Sequence, residues 1–165
     1  MPTTGQVLAD QLNTSRELTR WYLSKLKETD PFKQFEIEGK KLNNWYWIIA
    51  HLAWAEHFLI INGTGGELLP EFEELQPFSM GNSFSNVNAK HDVKELLALF
   101  KKVHEHCIER LQNITDEEMA EDNKLGFSFS SDMSKKALVM HCIRHEGTHT
   151  GNLAILCKAF DLKTV

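Results

Sequence analysis

Residues 44–61, NWYWIIAHLAWAEHFLII, limit the fold more than any other stretch of the chain. Read as a helix, the segment is apolar almost all round. Such a helix has no face to offer to water and has to be covered by other elements on most sides. Asn43 or Asn44 is placed to cap its start, and Gly63 follows its end as a stop signal.

Covering elements are legible on either side. Leu8, Leu12, Ser15, Thr19, Tyr22 and Leu26 recur at helical spacing, which predicts a first helix over about 5–27 that ends before Pro31. Val93, Leu96, Leu97, Phe100, Val103, Cys107, Leu111 and Ile114 form the clearest stripe and predict a third helix. Thr115 to Glu118 reads as a capping box that opens a short helix. A fourth long helix is expected over 132–160. Residues 31–41 form a connector with Gly39. Residues 62–90, with Gly63, Gly65, Gly66, Gly81, Pro70 and Pro77, form a long loop with one helical turn near 71–75, and 122–131 form a second loop. No strand is expected. The fold class is all-α: a four-helix bundle with long connections after helices two and three, with residues 1–165 as a single domain.

Composition narrows the function classes. A hydrophobic fraction of 42% argues against disorder. The net charge of −5 is well mixed, without the basic stripe that nucleic-acid binding needs. No apolar run reaches the roughly 18 residues of a membrane span, and the polar N-terminus lacks a signal-peptide core, so a cytoplasmic location is expected. Cys107, Cys142 and Cys157 sit in apolar helical patterns and read as small core residues. The aromatic load of helix two and the apolar loops suggest a homodimer.

Histidines carry the chemistry. His141, His145 and His149 follow one another at four-residue steps. Each step is about 40° around the helix axis and about 6 Å along it, so the three share a face. His141 and His149, about 12 Å apart along the axis, cannot share one ion, so the ligand pair is either His141/His145 or His145/His149. A desolvated imidazole needs partners for its nitrogens, and two of them on one apolar stripe point to a metal. His51, flanked by apolar residues in mid-helix, is the candidate third ligand. His57, His91, His104 and His106 read as solvated or partner-bonded.

His145-Glu-Gly-Thr-His149 also matches the zincin signature HExxH. Zincins take a third ligand downstream. Here the residues after His149 include no His, no Glu and a single acid, Asp161, and no strand is available to align a peptide substrate.

Two motifs fit more of the chain. Asn44-x-x-Trp47-Ile-Ile-Ala-His51-Leu in helix two and His145-Glu-x-x-His149-x-Gly151-Asn152-Leu153 in helix four resemble those of the DinB-like superfamily of four-helix metal proteins. The resemblance covers essentially the whole chain. It departs at Asn152, where the family commonly has Gln. It implies that His51, His145 and His149 bind one divalent ion per chain, nickel or zinc. It also implies a metal-dependent enzyme, a thiol S-transferase or small hydrolase, acting on a small-molecule substrate, with a low-molecular-weight thiol as partner. Alternatives are a non-catalytic metal- or ligand-binding stress-response protein and a helical interaction module with a vestigial site. Glu146 is the candidate catalytic base, its alternative being an exposed helix carboxylate. Three protein ligands leave a coordination position open. The expected site therefore faces solvent, with ligand nitrogens converging to within about 4 Å. Phe72, Phe78 and Phe84 of the long loop are expected to form an apolar wall.

Overall fold

The computed structural model describes residues 1–82 and 89–164. Phe84, expected in the site wall, lies outside the described residues.

The chain is mostly helical, and each long helix starts where its sequence supplies a cap. Helix α1 (Thr4–Leu26) opens on a reciprocal box in which Thr3 accepts from the Gln6 backbone N–H and the Gln6 side chain accepts from that of Thr3. Asn44 caps α2 (Trp45–Glu56) by accepting from the Trp47 N–H. The long loop contains α3 (Phe72–Leu75), followed by a single 3₁₀ turn, Gln76–Phe78. Helix α4 (Val93–Asn113) has a second reciprocal box, between Asp92 and Glu95. At α5 (Asp116–Ala120) only half of the expected box forms. Thr115 caps the Glu118 N–H, but the Glu118 carboxylate is drawn away to Arg110 and Lys135. Helix α6 (Lys135–Ala159) starts at its Ser134 cap.

Two differences from the sequence reading are local. Residues 31–41 contain a short antiparallel ladder, β1 (Glu36–Ile37) with β2 (Lys40–Lys41), where no strand was expected. Its turn residues Glu38 and Gly39 both have positive φ, the geometry of a two-residue hairpin, which alternation over so few residues cannot signal. Helix two, in turn, runs past Ile61. After Glu56 it widens into a π-helical segment, His57–Asn62. The chain leaves the helix at Gly65, where φ is 78°. Gly63 is not the stop. Its φ is −63°, and a Cβ there would lie 2.3 Å from Leu138 Cδ2, so this glycine admits α6 rather than ending a helix.

The four long helices pack in a ring, with α1 and α2 each against both α4 and α6. Every residue of α2 is buried, and its Trp45, Tyr46, Ile48, Ile49, Leu52 and Ala53 fill the centre of the core. The aromatic surface that suggested a dimer is therefore covered within one chain. The three cysteines are free and buried, as expected. Among the described residues no helix is long and apolar enough to cross a membrane.

Candidate metal centre

His51 sits on the most enclosed helix and is 5% exposed. One turn earlier lies Trp47, whose ring stacks on the imidazole at 4.6 Å, and Trp54 flanks it at 5.9 Å. Its Nδ1–H donates to the Phe78 carbonyl at 2.7 Å. That bond fixes the tautomer and leaves the lone pair on Nε2, the usual arrangement of a metal-ligating histidine.

Helix α6 brings the other two rings to the same point. His145 and His149 are half-buried, with ring centroids 4.5 Å apart. His51 and His149 centroids are 4.8 Å apart, and His51 Nε2 lies 3.2 Å from His145 Nε2. One ring nitrogen from each of the three histidines falls within 4.8 Å of the others. Tetrahedral zinc with bonds of about 2.0–2.1 Å places its nitrogen ligands roughly 3.4 Å apart. The His51–His145 pair has that spacing, and the set as a whole is somewhat wider than the expected convergence to about 4 Å. The third histidine of the cluster comes from upstream, on α2, and not from downstream, where a zincin has its third ligand.

Burial keeps these rings neutral. It lowers the pKa of His51, against the partial opposition of the Phe78 carbonyl. Desolvation, together with its histidine neighbours, pushes His145 down to about 3, and desolvation with His51 pushes His149 down to about 4. Three neutral imidazoles converging on one point suit a divalent ion of borderline softness such as zinc or nickel. The Asn152 amide nitrogen is 3.4 Å from His149 Nδ1, a long contact for the shorter amide at this position.

The remaining histidines have other partners. His141 is not in the cluster; it stacks on Phe129 at 3.6 Å and faces Arg144. His57 Nδ1–H donates to Asn62, and its Nε2 accepts from the Leu69 N–H. His91 pairs with Glu74, and His106 donates to the Glu67 carbonyl. His104 is buried between Glu56 and Asn13.

Glu146 is neither a base at the cluster nor an exposed carboxylate. It is 2% exposed, and both its oxygens are engaged on the side of α6 that faces α1. Arg16 donates to it at 2.8 and 3.1 Å, and Thr19 donates at 2.6 Å. The step of about 100° from His145 to Glu146 along a helix accounts for this: the histidine face turns to α2 and the glutamate to α1. Arg16 also donates to Glu56 at 2.7 Å, and Glu56 accepts from His104 Nδ1 at 2.6 Å. This buried network takes one residue from each long helix: Arg16, Glu56, His104 and Glu146. Desolvation opposes the charge on Arg16, but the two carboxylates outweigh it and raise its pKa. Burial likewise pushes Glu56 up, while Arg16 and His104 bring it below the ordinary carboxylate range.

Sequence reasoning missed this network and the Phe78 carbonyl. A signal existed for the first. Arg16 falls four residues after Leu12 and three before Thr19, on the apolar stripe of α1, and Glu56 interrupts an otherwise apolar helix.

A cavity of about 70 Å³ opens beside His51 and His145. The long loop reaches the site through the Phe78 carbonyl and through Met80, and among the described residues not through the rings of Phe72 or Phe78. Phe72 stacks on His57 at 4.2 Å, and both Phe72 and Phe78 are buried in the core.

A family model described as the DinB superfamily matches residues 11–153. No curated protein matches the chain.

Proposed function

The chain belongs to the DinB superfamily, and from that premise we propose that it binds one divalent ion, zinc or nickel, through His51, His145 and His149 and uses it on a small molecule. The convergence of three neutral imidazoles, one of them oriented by a backbone carbonyl, is the observation that supports this reading. An ion held by His51, His145 and His149 would supply Lewis acidity toward water or a thiol.

Between the two activities the resemblance implies, the surroundings favour thiol transfer over hydrolysis. A hydrolytic site gains from a carboxylate that takes a proton from water. Glu146 is committed to Arg16, and among the described residues no carboxylate lines the cavity beside the histidines. A thiol held at such an ion would be acidified by it and would need no such base. In the proposed reaction the thiol S–H bond breaks and its proton leaves to solvent, the sulfur forms a bond to an electrophilic carbon of the substrate, and that carbon's bond to its leaving group breaks, the leaving group departing with the electron pair. The chain's own contribution is to hold the imidazoles in register, keep them unprotonated and exclude bulk water from one side with Trp47 and Trp54.

Calorimetry with zinc or nickel tests the metal reading. Near-unit stoichiometry is expected for the wild type, with a loss of at least a hundredfold in affinity for His149→Ala. Equal affinity in the variant would remove His149 from the site.

A further inference from the structure

The cavity beside the histidines differs in character from the metal cluster. Trp54, Ala55, Phe58 and Leu59 form its floor, one continuous surface running from α2 into the π-helical segment. Phe129 closes the far side, and Met80 stands at the mouth, 66% exposed. Ring contacts brace these walls: Trp54 stacks on Phe58 at 4.9 Å, and Phe129 packs against Phe127 at 5.5 Å and against the face of His141. Among the described residues no acidic side chain, lysine or arginine lines it.

We propose that this cavity is the subsite for a short, uncharged alkyl group of the substrate, three or four carbons long. The proposal rests on reading the histidine cluster as a small-molecule site, since His51 and His145 form the polar end of the same cavity. The chemistry of the walls determines the class of ligand. An ionic group placed there would lose its hydration and gain no partner. An alkyl group would exchange water for contact with aromatic and aliphatic carbon. Size determines the length. An engineered apolar cavity that takes up benzene measures about 150 Å³. The cavity here, at about 70 Å³, is roughly half as large. A three- or four-carbon chain therefore suits the space beside Trp54 and Phe58 better than an aromatic ring. The geometry also orients the ligand. With its alkyl end against Ala55 and Leu59, the head group lies toward the histidines.

A test that needs no metal separates this proposal from the metal reading. Unbranched alcohols from ethanol to hexanol are titrated into the metal-free protein, and the methyl resonances of Ala55 and Leu59 are followed by NMR. Affinity should rise about fourfold for each methylene added, the gain for burying one CH₂, and level off after propanol or butanol. Butyrate and butylammonium should bind at least tenfold more weakly than butanol. Ala55→Leu, which fills the floor, should abolish the dependence on chain length. Phe129→Ala, on an exposed loop, should at least halve the gain per methylene and serves if the first variant misfolds. Affinity independent of chain length, or an unchanged series in a folded variant, would overturn the subsite. Zinc calorimetry on the same wild-type sample reports on the metal centre alone, so either reading can fail without the other.

Discussion

Replacing Arg16 by Met should be among the most damaging single changes in the molecule. Methionine keeps much of the aliphatic stem and its packing under Phe100, where the guanidinium carbon now sits 3.8 Å from the ring centroid. It removes the guanidinium shared by Glu56 and Glu146, whose side chains are 1% and 2% exposed. Breaking one buried pair by deleting a partner costs about 3–5 kcal/mol, because the surviving charge stays desolvated. Here one deletion strands two carboxylates, although His104 and Thr19 still donate one hydrogen bond to each. The expected loss is therefore near the top of that range, about 4–5 kcal/mol, a large part of the roughly 5–15 kcal/mol that holds a domain together. Urea denaturation at pH 7.5, followed by tryptophan fluorescence, measures it as a shift in midpoint at constant slope. The pH dependence supplies a second signature. In the wild type the lowered Glu56 pKa contributes stability that is present above the unfolded value near 4.5 and is lost as pH falls through the lower folded value. In the variant, burial without Arg16 raises that pKa, so the deficit relative to wild type should shrink as pH falls from 7 toward 5. A loss below about 1 kcal/mol at pH 7.5, or a deficit that grows on acidification, would refute this account of the network.

Other outcomes follow from the same geometry. His141→Asn should keep zinc affinity within about tenfold of wild type, since His141 stacks on Phe129 outside the cluster; abolished binding would place it among the ligands. His57 is held neutral by burial, with a pKa of about 4, and its Nε2 accepts from Leu69. It should therefore destabilise the metal-free protein as pH falls below the unfolded value near 6.5 and on toward 4. His57→Gln should flatten that part of the stability profile, and an unaltered profile would exclude His57 as a source. We propose a homodimer, now through Val7 and Leu18 of α1 and Met140 and Ile155 of α6, which remain exposed. Light scattering should give twice the 19.0 kDa chain mass, and a monomeric mass at micromolar concentration would end the proposal.

The long helices and the three clustered histidines were legible because their signals are periodic. His145 and His149 share a face by spacing alone, and His51 stood out as an imidazole in an apolar helix. Choosing between His141 and His149 needed the family motif, since both are one turn from His145. What escaped notice depends on contacts between distant segments. Nothing in residues 76–80 shows that the Phe78 carbonyl will meet His51. Glu146 was read through its motif neighbours, yet its partner, Arg16, lies 130 residues away and on another helix. The widened turn was hidden for a different reason: where nearly every residue is apolar, a change of helical register leaves no mark on the hydrophobic pattern.

That widened turn bears on how the chain tolerates changes in length. A residue added to or removed from an α-helix rotates everything beyond it by about 100°. Within Trp45–Glu56 such a change would carry Glu56 away from Arg16 or turn His51 away from His145. In His57–Asn62 the surplus is already accommodated, and His57 and Asn62 are joined across it by a 3.0 Å hydrogen bond. Deleting one residue there would tighten the segment toward an ordinary helix and leave every upstream side chain in place. The segment thus spares the spacing from Trp47 to Glu56 from changes of length beyond it, and insertions or deletions among relatives should collect between His57 and the glycines that follow, while that spacing stays fixed.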